Sequence, residues 1–166
     1  MQIKLDTERL ELFALDARQI RLWLDDLKQL EKELNCTYKA EVLEGDFLRI
    51  VEGQAKLTEE NAAKYYWHSF WFMIRKSDRT VVGSADFKKG PNEKGEVEIG
   101  YGLGKEHEHN GYMTEAVKAM CDWAKGQPDV AYVIAETLLD NQPSQNVLTR
   151  CGFKETSRGE SVWWKV

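Results

Sequence analysis

The segment that joins a strand-like run ending at Leu103 to a helical run beginning at Gly111 could bind an anion. The first turn of a helix has free backbone amides and the positive end of the helix dipole, which together attract phosphate. Gly111 has no Cβ, so the backbone there can approach a phosphate closely. A plain strand-to-helix turn is the alternative. The spacing of Gly100, Gly102 and Gly104 fits neither a Walker loop nor a dinucleotide-binding fingerprint.

Ionisable side chains flank this segment and indicate two kinds of chemistry. Glu98 lies in a strand-like run of otherwise apolar residues, where it is either an edge-facing charge or a buried carboxylate. Burial raises the pKa of a carboxylate, which could then act as a general base. Glu136, in another strand-like run, is a weaker candidate for that role. His107 and His109 could ligate zinc, but a compact third ligand is not evident, so we predict a solvated loop and no metal.

The surrounding patterns predict a mixed α/β fold. Alternation and β-branched or aromatic runs predict strands at 5–15, 69–74, 81–87, 97–103, 132–138, 153–156 and 162–166. Apolar residues at helical spacing predict helices at 20–34, 43–51, 58–66, 113–124 and 144–151. Hairpins give antiparallel pairs and a strand–helix–strand crossover gives a parallel pair, so we expect a mixed sheet. Trp67 and Trp71 are predicted to pack in the core, with a substrate cleft as the alternative.

Two motifs lie in the last two fifths of the chain. EIGYGL at 98–103 is followed by GYMTEA at 111–116, and NQPSQNVLTRCGF occupies 141–153. The first resembles the acetyl-coenzyme A motif of the GNAT N-acetyltransferase superfamily. The second is similar to the Asn-x-x-Ser-x-x-x-Leu-x-x-x-Gly-Phe pattern of its ribosomal-protein N-terminal acetyltransferase (RimJ/RimL-like) branch. TERL at 7–10 and VG at 82–83 resemble that branch's opening strand and central hairpin. Two motifs in the right order are more specific than either alone.

The resemblance implies a role for individual residues of these motifs. Leu103, at the end of a strand that splays from its neighbour, would offer backbone groups to the pantetheine arm of coenzyme A. Asn141 would contact the same arm, and Ser144 would lie near the sulfur and assist departure of the thiolate. The loop would wrap the pyrophosphate with the backbone amides of His109, Asn110, Gly111, Tyr112, Met113 and Thr114.

The loop departs from the family pattern Arg/Gln-x-x-Gly-x-Gly at two positions. Glu106 takes the first place and His109 replaces the first glycine, so only Gly111 remains. A carboxylate beside a pyrophosphate repels it unless the side chain points away. We therefore expect the affinity for the coenzyme to depend on where the Glu106 carboxylate lies.

The resemblance also implies an architecture and an activity. The fold would be an α/β (α+β) GNAT-like domain over residues 1–166, with a mixed, mostly antiparallel sheet of about six or seven strands flanked by helices and a splayed strand pair at the cofactor cleft. The enzyme would transfer acetyl from acetyl-CoA, its co-substrate, to a primary amine by direct attack in a ternary complex. Glu98 is then the first candidate for the base and Ser144 for the group that assists the leaving thiolate. The alternative is a GNAT-like module that binds an acyl-CoA or a partner without catalysis.

Composition narrows the choice of partners. The 166 residues include 23 Lys and Arg against 28 Asp and Glu, for a formal net charge of −5, and no dense basic run, which argues against nucleic acid. No apolar run approaches the ~20 residues of a membrane span. The three cysteines form no Cys-x-x-Cys pair, so a reducing cytoplasm is the expected location. We expect a small-molecule amine or a peptide N-terminus as acceptor, no nucleic acid and no membrane, and leave a homodimer open.

Overall fold

The computed structural model describes residues 2–166, and these residues build a nine-stranded sheet with helices on both faces. The strands are β1 (Lys4–Asp6), β2 (Leu10–Ala14), β3 (Thr37–Tyr38), β4 (Phe70–Arg75), β5 (Thr80–Phe87), β6 (Glu96–Leu103), β7 (Tyr132–Leu138), β8 (Lys154–Arg158) and β9 (Ser161–Lys165). The helices are α1 (Ala17–Asp25), α2 (Leu27–Leu34), α3 (Gly45–Glu60), α4 (Tyr112–Lys125) and α5 (Gln142–Arg150). Two 3₁₀ turns occupy Ala62–Trp67 and Lys105–His107.

The sheet is mixed and mostly antiparallel, as predicted. Its order is β1-β2-β4-β5-β6-β7-β9-β8, and β3 lies beside β5 outside this path. Only the β3–β5 and β6–β7 pairs of the described residues are parallel. The strand number exceeds the prediction because 5–15 is a hairpin rather than one strand and because the two-residue β3 has no readable pattern. Residues 6–9 are all polar, and the apolar positions change from odd at Leu5 to even at Leu10 and Leu12, which is the signal in the sequence for the break.

The helical predictions for the first third of the chain need two corrections. The predicted helix at 20–34 is divided at Asp26, whose amide closes α1 on the Leu22 carbonyl at 2.7 Å and whose side chain caps α2. The helix predicted at 43–51 continues as α3 through Gly53 to Glu60. It includes only the start of the segment predicted as a separate helix at 58–66, most of which is the 3₁₀ segment Ala62–Trp67. A glycine inside a helix costs about 1 kcal/mol relative to alanine. Burial of Val51, Ala55 and Thr58 on one side of α3 offsets that cost.

The sheet has a hydrophobic core on each face. Helices α4 and α5 cover one core, which includes Trp67 and Trp71, so both tryptophans pack inside as predicted. Helices α1, α2 and α3 cover the other, where Trp23 meets Phe70 and Phe72. None of the helices within residues 2–166 is long and apolar enough to cross a membrane.

Strands β6 and β7 separate partway along their length. They pair only from Glu96–Tyr132 to Glu98–Ile134. Beyond that point β6 stays paired with β5 up to Leu103, while β7 stays paired with β9 up to Leu138. The two strands therefore diverge, and the sheet contains the splayed pair that the resemblance implied.

Candidate active site

A cleft of about 350 Å³ opens where β6 and β7 diverge. Three segments line it: the end of β6, the loop that enters α4, and the first turns of α5. Eight of the predicted site residues line this cleft together: Leu103, His109, Gly111, Tyr112, Met113, Thr114, Asn141 and Ser144. Two predicted residues, Glu98 and Asn110, do not line it.

The N-terminus of α4 lines this cleft with residues 111–114. Gly111 is the N-cap residue with φ of +78°, and no side chain caps the helix. His109 also has a left-handed backbone, with φ of +66°, although it is not glycine. An uncapped first turn leaves backbone N–H groups without a partner, and these groups together with the helix dipole suit an anion. Glycine is needed at 111 because a side chain in that conformation is strained.

Arg9, just before β2, and Glu115, in the first turn of α4, hold the loop from both sides. The Glu115 carboxylate accepts hydrogen bonds from the Arg9 amide and Nε, each at 2.8 Å, and from the Thr7 hydroxyl. Arg9 Nη1 donates to the Asn110 carbonyl at 2.8 Å, and its guanidinium lies 4.5 Å from the centre of the Tyr112 ring. Burial raises the pKa of Glu115, but the hydrogen bonds from Thr7 and Arg9 outweigh it and leave the pKa below its usual value. Sequence reasoning missed these roles, although TERL at 7–10 carried the signal.

Asn110 shapes the loop from within. Its side-chain amide donates to the carbonyls of His107 at 3.0 Å and Glu108 at 3.1 Å. The side chain is therefore turned back on its own loop, whereas its carbonyl receives Arg9. This geometry fixes the conformation that carries the chain into α4.

Tyr101 and Ser144 form a hydrogen-bonded pair in the cleft. Their hydroxyl oxygens lie 2.8 Å apart, and the Tyr101 hydroxyl is also within hydrogen-bonding distance of the Ser144 carbonyl at 3.2 Å. Asn141 caps α5 by accepting from the Ser144 amide at 3.2 Å. Burial raises the pKa of Tyr101 to about 12. Tyr101 was not predicted as a site residue; its place in the alternation of β6, on the face opposite Glu98, was the available signal.

Glu98 is the last residue of β6 that pairs with β7, and it lies opposite Ile134 where the two strands begin to diverge. Its Oε2 is 3.7 Å from Lys88 Nζ, and the side chain is half-buried. Burial raises the pKa of this carboxyl. Glu136 is exposed and accepts a hydrogen bond from the Ser161 hydroxyl. Glu98 is thus the more buried of the two carboxylates.

The charged residues of the loop point in different directions. His107 is buried and its Nε2 is 3.2 Å from the Lys39 carbonyl and 3.3 Å from Glu106 Oε1, whereas the His109 side chain is 93% exposed. Across residues 2–166 no three His, Cys, Asp or Glu side chains are grouped to hold a metal. Glu106 is turned toward His107 and does not line the cleft, but Glu108 does.

Comparison with known proteins agrees with this geometry. The acetyltransferase (GNAT) domain family matches residues 17–154. The chain belongs to this family. It is 28% identical over 151 residues to the uncharacterized N-acetyltransferase YjdG of Bacillus subtilis, covering 91% of this chain and 89% of that protein. It is 26% identical over 159 residues to the uncharacterized N-acetyltransferase p20 of Bacillus licheniformis, covering 90% and 81%. The enzyme class predicted from the two motifs, a GNAT-family N-acetyltransferase, is thereby confirmed.

Solved structures share the GNAT fold at low identity. The ribosomal-protein-S5-alanine acetyltransferase from Vibrio fischeri superposes with a TM-score of 0.71 at 15% identity, covering 99% of this chain and 96% of that one. RimL, a ribosomal L7/L12 alpha-N-protein acetyltransferase solved in complex with coenzyme A, superposes with a TM-score of 0.69 at 16% identity, covering 99% and 97%. Likeness at this level establishes the fold, and the RimJ/RimL-like proteins are among those that share it.

Proposed function

We propose that this GNAT enzyme transfers an acetyl group from acetyl-CoA to a primary amine, carried by a small molecule or by a peptide N-terminus. The observation that carries the proposal is the uncapped N-terminus of α4 beside the gap between β6 and β7. Backbone amides at a helix start suit the pyrophosphate of coenzyme A, and a gap between two strands suits its extended pantetheine arm. Both features lie in one cleft, so one coenzyme molecule can use both.

The described residues fit coenzyme A in two further ways. On the edge of β6 that faces the gap, no strand partner follows Glu98, so backbone groups up to Leu103 are free to hydrogen-bond the amides of pantetheine. The pyrophosphate lies against the amides of His109, Asn110, Gly111, Tyr112, Met113 and Thr114 in this proposal. Asn141 contacts the pantetheine arm, and Ser144 lies beside the sulfur.

The chemistry requires a neutral amine, because a protonated amine has no lone pair to attack the thioester. An α-amino group has a pKa of about 8 and a lysine-like amine about 10.4, so one proton must be removed near neutral pH. We assign that step to Glu98, whose pKa is raised. The Leu103 amide stabilises the tetrahedral oxyanion. The C–S bond then breaks, and the Ser144 hydroxyl, paired with Tyr101, passes a proton to the thiolate.

Coenzyme binding and turnover test this proposal separately. Acetyl-CoA is expected to raise the melting temperature of the protein, since a ligand that binds only the folded state stabilises it. Thiol release in the presence of a panel of primary amines is expected only from an active transferase. The second candidate is a module that binds an acyl-CoA without turnover, which the presence of Glu108 at the cleft favours. A melting shift without thiol release from any amine supports that module, and no shift with any acyl-CoA rejects both.

A further inference from the structure

Lys88, the first residue after β5, carries its side chain onto the face of β6 that is turned away from α4. Its backbone amide donates to the Glu98 carbonyl at 3.0 Å, and its carbonyl accepts from the Gln54 side chain at 3.4 Å. The backbone of Lys88 is therefore held between β6 and α3, which fixes the root of the side chain. The side chain itself is 54% exposed, so the amine is accessible.

Glycine at position 100 gives the Lys88 side chain room to extend along β6. A Cβ at Gly100 would lie 3.5 Å from Lys88 Cε and only 2.8 Å from Asp86 Oδ1. Glu98 and Gly100 share one face of the strand, because side chains alternate along it. The lysine side chain therefore extends from the level of Glu98 to the level of Gly100, two residues nearer to the end of β6.

The amine of Lys88 lies beside the carboxylate that we assign as the base. Its Nζ is 3.7 Å from Glu98 Oε2, so a small rotation of either side chain brings the pair to hydrogen-bonding distance. Asp86 is only 6% exposed, and no hydrogen bond from residues 2–166 reaches its carboxylate. Burial raises the pKa of Glu98 and of Asp86, and the charge of Lys88 acts on both in the opposite direction. The amine thus lies near two carboxylates, one of which is the assigned base.

The gap between β6 and β7 begins where this amine lies. Glu98 is the last residue of β6 that pairs with β7, and Gly100 is already beyond the pairing. In the proposed function, the pantetheine arm follows the free edge of β6 from there to Leu103. Because the gap separates the strands themselves, a thioester within it is open to attack from the face that carries Lys88.

Lys165, a second lysine on this face, shows what distinguishes Lys88. Its Nζ is 2.7 Å from Glu96 Oε2, a closer ion pair than that of Lys88, and 4.7 Å from the centre of the Tyr132 ring. Glu96, however, is directly opposite Tyr132 where β6 and β7 are still paired, so the gap does not reach it. An ion pair with a glutamate of β6 is therefore shared by both lysines, and the position at the gap belongs to Lys88.

We propose that Lys88 is a self-acetylation site, at which acetyl-CoA bound to a chain acetylates the Lys88 Nζ of that chain. This inference rests on the proposed function and adds a substrate that the enzyme itself carries. One proton passes from the Lys88 ammonium to Glu98, and the neutral nitrogen bonds to the carbonyl carbon of the thioester. The C–S bond then breaks, and a second proton from the nitrogen goes to the thiolate. The products are Nε-acetyl-lysine, free coenzyme A and the proton that Glu98 returns to water.

Mass spectrometry of the intact protein and of its proteolytic peptides tests this proposal. With saturating acetyl-CoA and no added amine, Lys88 is expected to be acetylated at least tenfold faster than Lys165 or than Lys94, an exposed lysine between β5 and β6. The first-order rate constant is expected to stay the same at every protein concentration, since the amine and the base belong to one chain. Equal rates at the three lysines, or a rate constant that rises in proportion to protein concentration, overturns the proposal.

A substitution of each glutamate separates the base from a simple ion pair. Glu98→Gln is expected to slow the acetylation of Lys88 by roughly 100-fold, within the usual contribution of a general base, and to leave that of Lys94 unchanged. Glu96→Gln removes the partner of Lys165 and is the matched control, with no change expected in the Lys88 rate. An unchanged Lys88 rate in Glu98→Gln rejects the proposal.

A pair of glycine variants covers the case in which Glu98→Gln does not fold. Gly100→Ala places a methyl group against Asp86 and Lys88 and is expected to slow the acetylation of Lys88 about tenfold, whereas Gly53→Ala enters open space on α3 and is expected not to. Equal Lys88 rates in both variants overturn the proposal.

Failure of the proposed function has a different signature from failure of this inference. If the proposed function fails, acetyl-CoA does not raise the melting temperature and no added amine releases thiol, and Lys88 is not acetylated either. If only the inference fails, acetyl-CoA raises the melting temperature and added amines release thiol, while Lys88 is acetylated no faster than Lys94.

Discussion

The α4 side of β6 and its α3 side offer different chemistry to a ligand. On the α4 side, free backbone amides at Gly111 face the gap between strands, and no side chain occupies the helix N-terminus. On the α3 side, Asp86 and Lys88 lie over Gly100, and Glu41 lies beside Gly102. The first surface suits an anion and the second carries charges of both signs, although the chain as a whole has a net charge of −5. Net charge therefore says less about ligands than the local placement of amides and carboxylates does.

Two carboxylates show how differently the sides treat the same group. Glu115, next to the amide side, receives three hydrogen bonds, and its pKa is lowered. Asp86, on the α3 side, receives none from residues 2–166, and its pKa is raised. Ionised Glu115 therefore stabilises the folded state, whereas ionisation of Asp86 lowers the free energy of unfolding. The difference follows from the partners that the fold gives each carboxylate.

The largest expected effect concerns Glu98, the proposed base. Glu98→Gln is expected to lower kcat by roughly 100- to 1,000-fold, which is the usual contribution of a general base. Because the base must be ionised, wild-type activity is expected to fall as the pH drops through the raised Glu98 pKa. The Glu98→Gln variant should not show this fall in activity on the acid side of the pH–rate profile. Steady-state rates measured across pH check this. Glu160→Gln, in the exposed β8–β9 turn, is the control, and an unchanged Glu98→Gln rate at every pH rejects the assignment.

The next largest effect is on the free energy of unfolding, which ionisation of Asp86 lowers and ionisation of Glu115 raises. The folded-state pKa of Asp86, about 6, lies above the usual aspartate value of about 3.9, so ionisation destabilises the fold as the pH rises through this window. Asp86→Asn removes that penalty and should raise the free energy of unfolding at pH 7 to 8 by on the order of 2 to 3 kcal/mol. For Glu115 the folded pKa is lowered, so its contribution is present at neutral pH and is lost as the pH falls through the folded pKa.

Denaturant unfolding of both variants across pH measures this contrast. Glu115→Gln is expected to lower stability at pH 7 by roughly 1 to 2 kcal/mol, because charged hydrogen bonds to Arg9 and Thr7 are weakened. The expected difference between Glu115→Gln and wild type narrows in acid. If Asp86→Asn is instead less stable than wild type at neutral pH, the carboxylate has a stabilising partner and the contrast between the two sides fails.

A tenfold effect is expected on the amide side. Gly111→Ala places a side chain on a residue with φ of +78°, which costs about 1 to 2 kcal/mol and displaces the amides of the loop. The Kd for acetyl-CoA, measured by calorimetry, should rise about tenfold. Gly45→Ala is a matched control with φ of +55° and open space around it, far along the chain from the loop. Equal loss of coenzyme affinity in both variants would show that backbone strain at any positive-φ glycine, and not displacement of the loop amides, weakens coenzyme binding.

The smallest expected effect is at the hydroxyl pair in the cleft. Tyr101→Phe removes the partner of the Ser144 hydroxyl and is expected to lower kcat by about three- to tenfold, with the acetyl-CoA Kd unchanged. Tyr132→Phe, on the exposed start of β7, is the control. A changed coenzyme affinity with unchanged kcat would move Tyr101 from proton transfer to binding.

Much of the fold was predictable, because strong periodicity marks β7, α4 and the meander from β4 to β6. The strand predicted at 132–138 coincides with β7. One error falls at 5–15, where the polar run 6–9 and the change of apolar phase between Leu5 and Leu10 mark the turn. The other falls at 43–66, where α3 continues through Gly53 because tertiary packing, which the local pattern does not contain, decides the outcome.

The amino-acid sequence by itself determined the uncapped start of α4, since the onset of helical spacing and a glycine at 111 are local properties. It also determined the family, through two motifs whose residues meet in one cleft. Only the tertiary structure decided which carboxylates have partners. Arg9 reaches Glu115 across the sheet, and Asp86 lies over Gly100 because of the β5–β6 register. Partners far apart in sequence depend on register and packing, and the pKa of each carboxylate follows from those contacts.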